Sequence, residues 1–202
     1  MAKNLAQQRR EEIIQAAHKC FIAKGFHAIG MADIAREFGM SAGHIYNYFP
    51  SKTAIIEEVI SRGMEEFYKN SCALQENLGS YEETLAQVKR IFGECFRKER
   101  IVLSLELLAE ASHDPELEKV LQRADVKART HLLDISYPKS QDPMDRIRVE
   151  LGMATIEGLG MRFLRNPNLD FEAVCQLLAE RIHTPREKLK EKIKSLESKI
   201  VQ

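Results

Sequence analysis

The chain has no tryptophan, and its six prolines and ten glycines are thinly spread over 202 residues. That scarcity of breakers excludes a Pro- or Gly-rich low-complexity tract and leaves room for long helices. Cysteine is equally sparse. Cys20, Cys72, Cys95 and Cys175 are widely separated and form no C-x-x-C pair. They read as small buried hydrophobes rather than as a disulfide framework or zinc site. The histidines lack the spacing of a metal-binding helix. No apolar run approaches the roughly 18 residues of a spanning helix. The opening MAKNLAQQRREE lacks the apolar stretch of a signal peptide. These absences lead us to expect a cytoplasmic chain with no membrane association. There is also no sustained period-two alternation and no Asn-Gly or Asp-Gly hairpin signal, so a sheet is not expected. Without a nucleophile–base pair, a Gly-rich phosphate loop or a metal motif, neither an enzyme nor a bound cofactor is expected.

Well-punctuated helical sequence is what remains. Hydrophobic residues make up 44% and charged residues 30%, enough for a packed core in a soluble chain. The first helix is predicted over about 6–24, with Ile13, Ala17, Cys20 and Phe21 on one face and Gly25 past its end. Short helices follow at about 31–38, ending at Gly39, and from Ser41 to about Phe49. Pro50 then breaks the chain, and Ser51 can cap a longer helix to about 70. Later starts are marked by Ser80 with Glu83, Asp114-Pro115, Asp142-Pro143, Asp170 and Thr184-Pro185. They predict helices at about 80–98, 101–112, 115–135, 143–166, 170–182 and 185–200. ISYPKSQD (135–142) is the segment expected to be mobile.

Net charge is zero, but its distribution is uneven. Residues 1–52 hold seven basic and four acidic residues, residues 53–184 seventeen and twenty-three, and residues 185–202 six and three. The ends are therefore basic and the middle acidic, which suits a dedicated phosphate-facing end.

The stretch FHAIGMADIAREFGMSAGHIYNYFPSKTAII, residues 26–56, reads as two short helices joined by a tight Gly39-Met40-Ser41 turn. That is helix-turn-helix geometry, in which the second helix enters the major groove. Ile34, Ala35, Phe38, Ile45 and Phe49 would pack it against the first helix. Ala42 and Gly43 are small enough to let the recognition helix approach base edges, and His44 can donate or accept a hydrogen bond there. Tyr46, Asn47 and Tyr48 offer polar groups at phosphate height, and Lys52 adds a cation. The same pattern also suits a three-helix module with no DNA role.

The run G-M-S-A-G-H-I-Y-N-Y-F-P-S-K-T-A-I, with the preceding A-D-I-A-R-E-F-G, resembles the signature of the TetR repressor family over about residues 9–60. The resemblance implies an all-α fold: an N-terminal three-helix helix-turn-helix DNA-binding domain (1–52) and a C-terminal helical ligand-binding and dimerisation domain (53–184). An extra amphipathic helix (185–202) would follow. It implies base-reading slots at Ala42, Gly43 and His44, and phosphate slots at Tyr46, Tyr48 and Lys52. Gly30 and Met31 stand where the family has hydroxyl residues, and the recognition helix lacks an arginine for guanine.

By the same resemblance, residues 60–140 would surround an effector and 143–182 would form a homodimer interface. Met64, Phe67, Phe92, Phe96, Leu103, Leu107, Met153 and Met161 are candidate lining residues, and core packing is the competing reading for each. Glu106, Glu110 or Glu157, if buried in the pocket, would favour a lipophilic cation. The expected function is repression of a palindromic operator on double-stranded DNA, relieved by a small lipophilic molecule. A ligand-dependent activator or corepressor-type regulator of the same fold, and a helical adaptor that does not bind DNA, are the alternatives.

Overall fold

The computed structural model describes residues 2–76 and 79–182, and every regular element in them is helical. The helices are α1 (Ala2–Ala28), α2 (Met31–Phe38), α3 (Ala42–Tyr46), α4 (Lys52–Glu76), α5 (Tyr81–Cys95), α6 (Lys98–Ala111), α7 (Pro115–Ser136) and α8 (Pro143–Arg165). A further helix, α9, spans 171–182. The amphipathic helix expected at 185–202 lies outside the described residues. No described helix is long and apolar enough to cross a membrane.

The expected caps hold the helix ends. Ser80 and Glu83 exchange backbone-to-side-chain bonds of 3.2 and 2.8 Å. Asp114 accepts from the amides of Glu116 and Leu117, and Asp142 from that of Met144. Two glycines are required by backbone geometry. Gly25, at φ 77° and ψ 167°, interrupts α1 in a region open essentially to glycine alone. The expected stop at this residue is thus a kink, with one more turn beyond it. Gly39, at φ 77° and ψ 28°, closes α2 in the left-handed conformation. Helix α3 is shorter than expected. Its last turn tightens, with the Asn47 amide donating to the His44 carbonyl and the Tyr48 amide to that of Ile45. Pro50 disfavours helical geometry in the residue before it, which limits any continuation.

The larger core joins α1, α2, α3 and the start of α4 through Ile13, Phe21, Phe26, Ile34, Ile45, Phe49, Ile55 and Ile56, all nearly solvent-free. It continues into the body through Ala111, Leu117 and Val120, with Leu103, Leu107 and Leu121 packed against it. Ile55 and Ile56, just past residue 52, pack in the same core. A smaller core joins Val88, Cys175 and Ala179, flanked by Phe92 and Phe171. Cys175 is buried, while Cys20, Cys72 and Cys95 are half-buried free thiols. At the end of the segment expected to be mobile, the Ser140 hydroxyl bonds Asp145, and Arg148 bridges Asp142 and Asp145.

Phe21 stacks on Phe26 with centroids 4.4 Å apart and is 1% exposed. Phe21→Ala is expected to cost about 3–5 kcal/mol of unfolding free energy, measured by urea titration. A cost below about 1 kcal/mol would mean that this ring pair does not hold the unit together.

Candidate nucleic-acid interface

The helix-turn-helix is built from the turn outward. The Met40 amide donates to the Ala35 carbonyl at 2.9 Å and that of Gly39 to Arg36, closing the tight connection. Ser41 precedes α3 in extended backbone, and its carbonyl accepts from the amides of His44 and Ile45. Its hydroxyl forms no cap bond. At α2 the cap comes from the other direction: the Asp33 carboxylate accepts from the Gly30 amide at 3.0 Å. That bond is the first cause holding the Asp33 carboxyl below its ordinary range. The Asp33 amide, which a hydroxyl at position 30 would cap, donates instead to the Gly30 carbonyl at 3.0 Å.

Helix α3 buries one side through Ile45 and leaves Gly43, His44, Tyr46 and the following Asn47 exposed. Ala42 and Tyr48 are half-buried and rest on the core. The space above Gly43 is open, for a Cβ there would meet nothing within 4 Å. The His44 and Tyr48 rings lie 5.5 Å apart. Arg10 was passed over in the sequence, although it steadies the end of this unit. Its guanidinium donates to the Tyr48 carbonyl at 2.6 Å and lies 4.2 Å over the Phe49 ring. A sequence separation of 38 residues hides the Arg10–Tyr48 contact from any local pattern.

Lys52 is placed otherwise than as a free phosphate contact. Its ammonium donates to the Phe26 carbonyl at 2.8 Å and to Glu110 at 2.9 Å, with its side chain 24% exposed. Glu110 also meets His27 Nδ1 at 3.3 Å. The end of α6 is thereby clasped to the end of α1 and the start of α4, beside a Thr53–Asp114 contact of 3.5 Å. The Lys52 hydrogen bond holds the Glu110 carboxyl below its ordinary range, opposed by partial burial and aided by His27. A depressed carboxyl stabilises the fold above its unfolded-state pKa, and that stability is lost as pH falls through the folded one. Glu110→Ala is expected to cost about 1–2 kcal/mol at neutral pH. The gap from wild type should close in acid, as read from melting curves across pH. A gap independent of pH would mean that the clasp is not electrostatic.

The residues expected to line an effector pocket do not converge on one place. Glu110 is spent in the clasp, and Glu157 and Met161 lie exposed on α8. Burial of part of the side chain, then Asp125 and Glu150, push the Glu157 carboxyl up. Leu103 and Leu107 pack on the N-terminal core. Phe92 and Phe96 join Phe163 and Phe171 in an aromatic row with neighbouring centroids 5.0–6.1 Å apart. Met64 and Met153 are half-buried. Phe67 meets an unanticipated group: His131 lies 6.0 Å from its ring, 4.5 Å from that of Tyr68, and 2.7 Å from the Ser71 hydroxyl. Glu106 faces a cavity of about 190 Å³ between α1 and α6.

Residues 13–59 match the family model described as bacterial regulatory proteins, tetR family. The chain is 26% identical over 117 residues to the HTH-type transcriptional regulator UidR of Escherichia coli K12, covering 58% of this chain and 59% of that protein. It is 33% identical over 125 residues to the nucleoid occlusion factor SlmA of Vibrio vulnificus YJ016, covering 60% and 55%. It thus spans less than two thirds of either relative's length. The fold superposes on a TetR-family transcriptional regulator structure from Mesorhizobium loti with a TM-score of 0.69 at 18% identity, covering 89% of this chain and 95% of that one.

Proposed function

We propose that the chain, through its N-terminal helix-turn-helix, is a TetR-family transcriptional regulator that grips a palindromic operator as a homodimer and releases it when a small lipophilic effector binds. The observation that carries the reading is the divided surface of α3. Ile45 locks one side into the core, while Gly43, His44, Tyr46 and Asn47 face outward, with open space above Gly43. A major groove accepts a helix presented in this way. His44 and Asn47 would address base edges, with Ala42 and Gly43 permitting close approach. Tyr46 and Tyr48 would meet the sugar-phosphate backbone. Lys52 would act through the clasp, fixing the angle of α4 against the body.

Helix α8 supports the dimer. Met144, Ile147, Leu151 and Met161 are each at least 40% exposed and recur at heptad spacing, with Ala154 and Gly158 in the same register. The stripe runs about 25 Å along the helix. A Cβ at Gly158 would meet nothing within 4 Å, so this side is open to close approach. Gly160 instead turns inward, 3.5 Å from Ile101. An apolar stripe of this kind fits an isologous contact with a second copy. Two copies would set two α3 helices against successive major grooves, about 34–36 Å apart.

The test is a gel shift on DNA upstream of the protein's own gene, across salt concentrations and with lipophilic compounds. Salt-sensitive retardation abolished by one compound is the expected result. No retardation at low salt by folded dimer would overturn the reading. Retardation strengthened by a compound would reverse the sign of the coupling.

A further inference from the structure

We infer that the cavity between α1 and α6 is a binding site for a small organic ammonium ion. It is lined by Phe21, Ile22, Val102 and Leu103, with Lys98, Glu99 and Glu106 as its charged groups. Its size sets the first limit. About 190 Å³ is somewhat more than the cavity of about 150 Å³ that accepts benzene in a protein interior. A ring with a short side arm therefore fits, and a drug-sized polycycle does not.

The charge sets the second limit. Glu106 Oε2 is buried and has no hydrogen-bond partner among the described residues. The carboxylate is pressed against the kink of α1, so closely that a Cβ on Gly25 would stand 2.5 Å from Oε2. A buried carboxylate oxygen without a donor is costly, and a charged N–H donor is the group that best offsets that cost. The lining carries two carboxylates and one ammonium, a net charge of −1. An anion is therefore repelled, and a monovalent cation is balanced. Apolar side chains beside the Glu106 carboxylate describe an arylalkyl or short alkyl amine, its ammonium on Glu106 and its body against Phe21 and Val102. Ile22, 43% exposed, offers an apolar surface near the mouth.

The position gives the site its consequence. One wall belongs to α1 of the DNA-gripping unit and the other to α6 of the body. Glu106 lies one helical turn before Glu110, which holds the Lys52 clasp. An occupant wedged between α1 and α6 strains that clasp directly. This consequence rests on the proposed regulatory function, whereas the binding itself does not.

The experiment is isothermal titration of the full chain, without DNA, using phenethylammonium and its uncharged counterpart 2-phenylethanol. Wild type should bind the amine saturably and the alcohol at least about tenfold more weakly. Glu106→Gln should lower amine affinity by a similar factor with a melting temperature no lower than that of wild type, and Val102→Phe should fill the space and abolish binding. Methyl resonances of Ile22 and Val102 should shift on titration. No saturable amine binding, equal binding of the alcohol, or full binding by Glu106→Gln would each overturn the site. A gel shift run in parallel separates the two proposals. A chain that shifts operator DNA but ignores the amine loses only this site, and a chain that binds the amine but no operator loses only the regulatory reading.

Discussion

Replacing Ile147 and Leu151 together by aspartate is expected to turn the proposed dimer into a folded monomer and to lower operator affinity at least about a hundredfold. Both side chains are about half exposed in the single chain. The replacement therefore removes little intramolecular packing, and exposed substitutions usually change stability by about 0.5 kcal/mol or less. In the proposed dimer the same positions face their own symmetry mates. Each aspartate then buries a charge against an apolar surface, and the two-fold axis doubles the penalty. Losing the dimer loses the second half-site, whose avidity is worth about 10²–10⁴ in affinity. Sedimentation equilibrium and a gel shift on the same sample read both effects. A variant that remains dimeric would move the interface off this face of α8. A monomer that still binds at wild-type affinity would show that one helix-turn-helix suffices.

The second large effect is expected at Gly43 and His44. Gly43→Leu places a side chain where the structure has open space, so the fold should tolerate it. Helix propensity even favours the exchange by about 0.5–1 kcal/mol. On DNA the same side chain would stand between the backbone of α3 and the base edges, and affinity should fall by about a hundredfold or more. His44→Ala removes an exposed ring without opening a core cavity. It should cost about 1–3 kcal/mol at particular base pairs and relax preference there. Competition binding against operators mutated one base pair at a time distinguishes the two. Gly43→Leu should weaken binding to every sequence, His44→Ala to only some. If both bind like wild type, α3 does not face the groove.

Much of this molecule is written locally. Asp114-Pro115 and Asp142-Pro143 start helices because a carboxylate and a proline satisfy the same terminal geometry in any context. Gly39 ends α2 because the left-handed turn requires it, and the separation between Ile45 and its exposed neighbours follows from helical periodicity. The helix-turn-helix and the all-helical architecture were therefore legible without coordinates.

What stayed hidden depends on residues far apart in the chain. Lys52 looked like a free cation because nothing near it in sequence shows that Glu110, 58 residues on, would take its ammonium. Met161 and Gly160 are adjacent, yet one is exposed and the other packs on Ile101, because the crossing of α6 and α8 assigns the faces. Glu106 and Glu110 are equivalent in an apolar helical pattern. Only the packing of α6 on α1 gives one of them a lysine and leaves the other with an unpartnered oxygen at a cavity wall. Periodicity and capping are short-range effects, so sequence alone determined the helices and the helix-turn-helix motif. Pairing of charges and division of helix faces arise where distant segments meet, so tertiary structure alone decided the clasp, the open stripe of α8 and the cavity.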